Sequence, residues 1–201
     1  GKSAMNRFFF IWKFWVVCLG AGCTSAQVNV HAQRHLQMAA WAMQQQDPGL
    51  ARRHLELALQ HDPRDARSLS AMGVLYFMDG ETRKAAWFFE EAVRMRPDFP
   101  EAHANWGALL LSQGKLAAAA RRLSTALYYD PGNDAARWNL ALAFLRLRKY
   151  QQAASHLGWY CARTGHPPHA VRLWIQALYA AREHEKAEKV KKRYWQSGFL
   201  N

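Results

Sequence analysis

Residues 68–98 read SLSAMGVLYFMDGETRKAAWFFEEAVRMRPD, and this stretch decides the fold. Apolar residues recur three and four apart on both sides of Asp79–Gly80, the spacing of two helices joined by a glycine-containing turn. Pro97 closes the stretch, where a helix end is expected because the residue before a proline disfavours helical geometry. Working outward, the pattern returns every 34 residues. Ala51, Ala85, Ala119 and Ala153 hold one ladder, and Ala39, Gly73, Gly107 and Ala141 hold a second. Ala58, Ala92 and Ala126 keep step with Pro63, Pro97 and Pro131. Large apolar residues follow the same beat: Leu55, Phe89, Leu123 and Leu157, then Met38, Met72, Trp106 and Leu140.

The small residues have a steric task. Glycine or alanine in the first helix of each pair lets it approach its partner, and alanine in the second does the same from the other side. A bulky residue at these places would push the pair apart, an overpacking that costs roughly 1–3 kcal/mol. A fixed period of this length is the signature of a solenoid of stacked helical hairpins.

The ladders closely resemble the tetratricopeptide repeat over residues 32–195, with four full repeats starting near Ala32, Ala66, Pro100 and Asp134. A fifth pair, PHAVRLWIQALYAAREHEKAEKVKKRYW, closes the array with Ala187 on the small-residue ladder and a highly charged last helix. A polar outer face on a terminal helix suits a solenoid cap. The resemblance implies an all-α fold, a right-handed superhelix (α-solenoid) of about five helix pairs. Tyr160 and Gly165 depart from the pattern at the end of the fourth repeat, and GHPPH makes a stiff link to the last pair.

The chain has 201 residues, half of them apolar and about a fifth charged, a globular composition. Its N-terminal lines read GKSAMNRFFFIWKFWVVCLGAGC. Met5 reads as the natural start, Arg7 as the basic region and FFFIWKFWVVCLGAG as the apolar core of a secretory signal. The small residues before Cys23 resemble a bacterial lipobox, with Ala21 and Gly22 in place and Gly20 where leucine is usual. The expectation is a lipoprotein-type signal over 1–22, acylation of Cys23 through a thioether, a short linker over 23–31 and a repeat domain over 32–201. An ordinary cleaved signal or an uncleaved anchor are the alternatives.

In a stacked array of this kind the first helix of each pair lines the concave face. That face is expected to carry Leu36, Gln37, Ala40 and Met43, then Arg67, Ser70, Val74 and Phe77. Glu101, Asn105, Ala108 and Leu111 follow, then Trp138, Asn139, Leu142 and Arg146, with Arg172, Gln176 and Tyr179 at the end. The partner-binding groove is assigned to Phe77, Asn105, Leu111, Trp138, Asn139, Leu142, Arg146 and Tyr179. Such a lining suits an extended or helical segment of a protein partner. Asn105 and Asn139 match the asparagine that many of these repeats use to bond a bound peptide's main chain. The basic clamp for a free carboxyl terminus is missing, with Ser70, Val74 and Ala135 in its place.

No catalytic residue is expected. Nothing in the sequence resembles a nucleophile with its base, a phosphate loop or a carboxylate pair, so the chain is not read as an enzyme. The three cysteines make no metal or disulfide pattern, and Cys161 reads as a buried apolar residue. His31 and His35, and His166 and His169, lack a third ligand with suitable spacing and read as surface residues; no metal or cofactor is expected. The net charge of +12, from 27 Lys and Arg against 15 Asp and Glu, suits an anionic neighbour such as lipid headgroups or cell-wall polymer. Arg52–Arg53, Arg83–Lys84 and Arg121–Arg122 fall on second helices, the convex side. Nucleic acid is not expected for an exported chain.

A lipobox-like signal followed by a short array resembles the type IV pilus biogenesis lipoproteins, the PilF/PilW pilotin family. The stretch KYQQAASHLGWYCARTGHPPHAVRLWIQALYAAREHEKA is similar to that family's closing pairs, although members typically carry about six repeats. The resemblance implies a scaffold that helps a secretin channel assemble, anchored to the periplasmic face of the outer membrane; Thr24 after the cysteine fits that sorting. The alternative is a periplasmic adaptor that recruits cell-wall or respiratory-assembly enzymes, either soluble in the periplasm or anchored to the inner membrane.

Overall fold

The structure, a computed structural model, describes residues 30–195. The signal segment and Cys23 lie outside the described residues. Ten helices follow one another among the described residues, with no strand. They are α1 (30–44), α2 (Pro48–His61), α3 (Ala66–Met78), α4 (Thr82–Met95) and α5 (Pro100–Ser112), then α6 (Leu116–Tyr129), α7 (Asp134–Arg146), α8 (Tyr150–Thr164), α9 (Pro168–Ala180) and α10 (His184–Trp195). Each odd helix pairs antiparallel with the even one after it, and the five pairs stack as a tetratricopeptide-type solenoid. Val30 and His31, assigned to a linker from the sequence, are already helical. No proline or cap residue stands between them and Ala32 to start the helix later.

The starts of the first helices follow from local chemistry. Asp65 accepts hydrogen bonds from the Ser68 amide and hydroxyl, and Asn133 accepts one from the Ala136 amide. These satisfy amides that a helix N-terminus otherwise leaves bare. Burial pushes the Asp65 carboxyl up, but the bonds from Ser68 and Arg67 outweigh it and hold the group below its ordinary value. α5 and α9 begin with Pro100 and Pro168, whose missing N–H is no loss at the first position.

The turn inside each pair needs one residue in the left-handed region. Gly80 and Gly114 supply it without strain (φ 78° and 73°). At the same register Gln46, Arg148 and Arg182 adopt φ of 59°, 58° and 63°, a conformation that disfavours a side chain by roughly 1–2 kcal/mol.

The ladders form the core. Ala51, Ala85, Ala119, Ala153 and Ala187 are fully buried, as are Ala58, Ala92 and Ala126. Leu55, Phe89, Leu123 and Leu157 are buried beside them, each contributing roughly 1.5–3 kcal/mol. A Cβ added at Gly73 would fall 2.7 Å from Phe89, and one at Gly107 would fall 2.5 Å from Leu123. Glycine at these two places is therefore a packing requirement. Gly158 makes a third close approach, with Trp174 of the next pair 2.9 Å from where its Cβ would be.

Cys161 is fully buried against Ala170, Val171 and Tyr194, and burial pushes its thiol up to about 11. It is the inert apolar residue expected from the sequence.

Candidate interaction groove

Stacking brings α1, α3 and α5 side by side along the concave face, and a cavity of about 290 Å³ opens between them. α1 contributes Leu36, Ala39, Ala40 and Met43. α3 contributes Arg67, Ser70, Ala71 and Val74, and α5 contributes Glu101 and Asn105. Leu55 and Phe99, both buried, close the floor. Most of the lining is aliphatic, so an apolar side chain entering it would leave water favourably.

The polar groups lie at defined points. Asn105 Nδ2 donates to Ser70 Oγ at 3.3 Å, which orients the amide. Its carbonyl oxygen and remaining N–H are the two groups a peptide main chain needs. Arg67 and Glu101 are exposed at the rim, so the mouth carries one charge of each sign. Arg67 is held by an ion pair from its Nε to Asp65 at 3.2 Å. An aliphatic pocket with a polar edge can take one side chain of a partner segment and bond the adjoining backbone.

The residues assigned to the groove from the sequence separate in the structure. Asn105 lines the cavity. Asn139, one period later, is half-buried on α7 away from it. Phe77 packs against the cluster of Ala85, Phe89 and Leu109, as does Trp106. Leu111 is buried and Leu142 half-buried in the main core cluster, so neither offers an open pocket. Trp138 is half-buried, its ring 5.1 Å from Tyr160 and 5.3 Å from His169, centre to centre. The GHPPH link brings His169 over it, so the ring's apolar surface is covered from within the chain. Arg146 donates from Nη1 to the Leu111 carbonyl at 3.1 Å, tying α7 to α5. The Tyr179 hydroxyl donates to Glu188, tying α9 to α10.

Leu55 and Phe99 were missed as groove residues. Leu55 sits on a core ladder, which hides its second contact. Phe99 carried a usable signal: it stands where Asp65 and Asn133 cap their helices, yet no cap bond forms at α5. A ring in a cap position is free to pack elsewhere.

On the outer face Trp87 is 55% exposed and Arg121 is exposed. Arg53, Arg83 and Lys84 are exposed as well, whereas Arg122 lies 3.7 Å over the Trp106 ring and Arg52 pairs with Asp79. No group of three or more His, Cys, Asp or Glu is placed to hold a metal ion among the described residues. No described helix is long and apolar enough to cross a membrane.

Family models of the tetratricopeptide repeat match residues 36–103 and 110–158. The chain is a tetratricopeptide repeat protein. It is 30% identical over 110 residues to an uncharacterised protein of Haemophilus influenzae, an alignment spanning 55% of this chain and 62% of that one. Among solved structures it is similar to PilF of Pseudomonas aeruginosa, with a TM-score of 0.74 and 22% identity over 87% of this chain and 80% of that one. It is also similar to YrrB, described as a repeat protein with an unusual peptide-binding site. That match has a TM-score of 0.63 and 17% identity over 78% of this chain and 80% of YrrB. At these identities the structural likenesses establish the fold. A tetratricopeptide scaffold of this kind is built for protein–protein interaction.

Proposed function

We propose that this protein is a lipid-anchored scaffold serving the assembly of a type IV pilus or its secretin channel. Acylated Cys23 would hold it at the periplasmic face of the outer membrane, and the groove between α1, α3 and α5 would take an extended or helical segment of a protein partner. The observation that carries the binding part is the aliphatic cavity edged by the Asn105–Ser70 pair. The pilus part is supported by a lipobox-like segment directly before a short repeat array, and by the likeness in fold to PilF.

The anchor is tested by Cys23→Ser. The wild-type chain should take up labelled palmitate and sediment with membranes, and the variant should do neither. Membrane association without label in the wild type would remove the lipoprotein reading while leaving the groove intact.

A further inference from the structure

His31 and His35, read as surface residues from the sequence, meet His54 and His61 between α1 and α2. The His35 and His54 rings are 5.4 Å apart, His31 and His61 5.4 Å, and His35 and His61 5.8 Å, and all three contacts are stacked. His35 Nδ1 lies 3.2 Å from His54 Nδ1. The repeat register shows what these rings replace. Thirty-four residues after His35, His54 and His61 stand Leu69, Phe88 and Met95, which pack together in one apolar cluster. The second pair is thus closed by groups that never titrate, and the first by groups that do. The third and fourth pairs place one histidine each in this register. His103 donates from Nε2 to the Pro97 carbonyl, and His156 faces Arg137.

We propose that the imidazole stack is a proton-operated latch that holds α1 against α2 near neutral pH and releases it in mild acid, opening one wall of the groove.

A hydrogen bond between two Nδ1 atoms needs one N–H and one lone pair. The His35–His54 bond survives one proton on the pair and is lost with the second, because no acceptor then remains. The charged and titratable groups facing His35 are His31 and Arg34 on α1 and His54 and His61 on α2, so further protons meet like charge. The carboxylates of the following turn are engaged elsewhere. Asp62 accepts from the Arg64 amide, and Asp65 accepts from Ser68 and Arg67. Asp47, at the far end of the hairpin, accepts from the Leu50 amide.

Burial, followed by these neighbours, holds the His35 imidazole below its ordinary value of 6.5. A folded-state value below the unfolded one favours the neutral ring. Its contribution is therefore complete above 6.5 and is lost as the pH falls below it. The consequence reaches the groove because α1 carries Leu36, Ala40 and Met43.

The test is amide hydrogen exchange of the full chain at about pH 7.5 and about pH 5.5, corrected for intrinsic rates. Amides of α1 in the wild type should lose protection in acid, the direction set by a His35 imidazole held below its ordinary value in the folded chain. Amides of α5–α8 should not change. His35→Leu combined with His54→Phe installs the residues of the second pair and should make α1 protection independent of pH. His61→Gln removes two of the three ring contacts and should reduce the acid effect even if the double variant packs poorly. Equal α1 protection at both pH values in the wild type would overturn the latch. So would an unreduced acid effect in both variants.

Discussion

Replacing Gly107 by alanine tests the helix packing most sharply. The added Cβ would lie 2.5 Å from Leu123 Cγ, 2.8 Å from its Cδ2 and 3.4 Å from the Ala119 carbonyl oxygen. Non-bonded carbons rest at about 3.5–4.0 Å, so Leu123 would have to retreat by about 1 Å. It has no room to do so, because it is fully buried in one cluster with Ala119, Ala126 and Leu140. Overpacking costs roughly 1–3 kcal/mol, and a clash with a side chain confined on every side belongs near the upper value. Alanine recovers about 1 kcal/mol over glycine inside a helix, which leaves a net loss of about 2 kcal/mol. The sign should reverse when Leu123 is alanine. With the clash gone, Gly107→Ala should stabilise by about 1 kcal/mol, a coupling of about 3 kcal/mol across the cycle. Urea unfolding of the four proteins, followed by circular dichroism, measures it. Leu at position 107 should do more damage and loosen the pairs on either side, since solenoid stability passes between neighbours. An equal effect of Gly107→Ala with and without Leu123 would refute the close approach.

Two further outcomes follow from the backbone and the core. Arg148→Gly and Arg182→Gly relieve left-handed strain, and each should raise stability by about 1 kcal/mol in the same unfolding assay. Cys161, buried and with its thiol pushed up to about 11, should resist iodoacetamide at about pH 8 in the folded chain and react once urea exposes it.

The solenoid was legible in the sequence because its packing repeats. Ala51, Ala85 and Ala119 recur at a fixed interval since each meets the same neighbouring helix, and steric demand of that kind leaves a periodic mark. The turns were legible only in part. Gly80 and Gly114 announce a left-handed residue, while Gln46, Arg148 and Arg182 hold the same conformation without the sequence saying so. Groove residues were harder, because a large apolar side chain on the concave face can be covered by a partner or by its own chain. Trp138 is covered by Tyr160 and His169, and that depends on how the GHPPH link turns, which no helical periodicity encodes. The open cavity lies instead where small and medium side chains, Ala40, Ser70 and Val74, leave space. The histidine stack joins residues 19, 26 and 30 apart, spacings that mean nothing until the hairpin is known.

The central claim is that the concave groove of the first three pairs, and not the outer face, holds the partner. The direct measurement is photocrosslinking in cells from a reactive side chain placed at Ala40 or at Arg121, both exposed and on opposite faces. Ala40 should yield an adduct with one protein, lost when Val74→Trp fills the cavity, and Arg121 should yield none. An adduct from Arg121 with none from Ala40 would contradict the account and make the outer face the working surface.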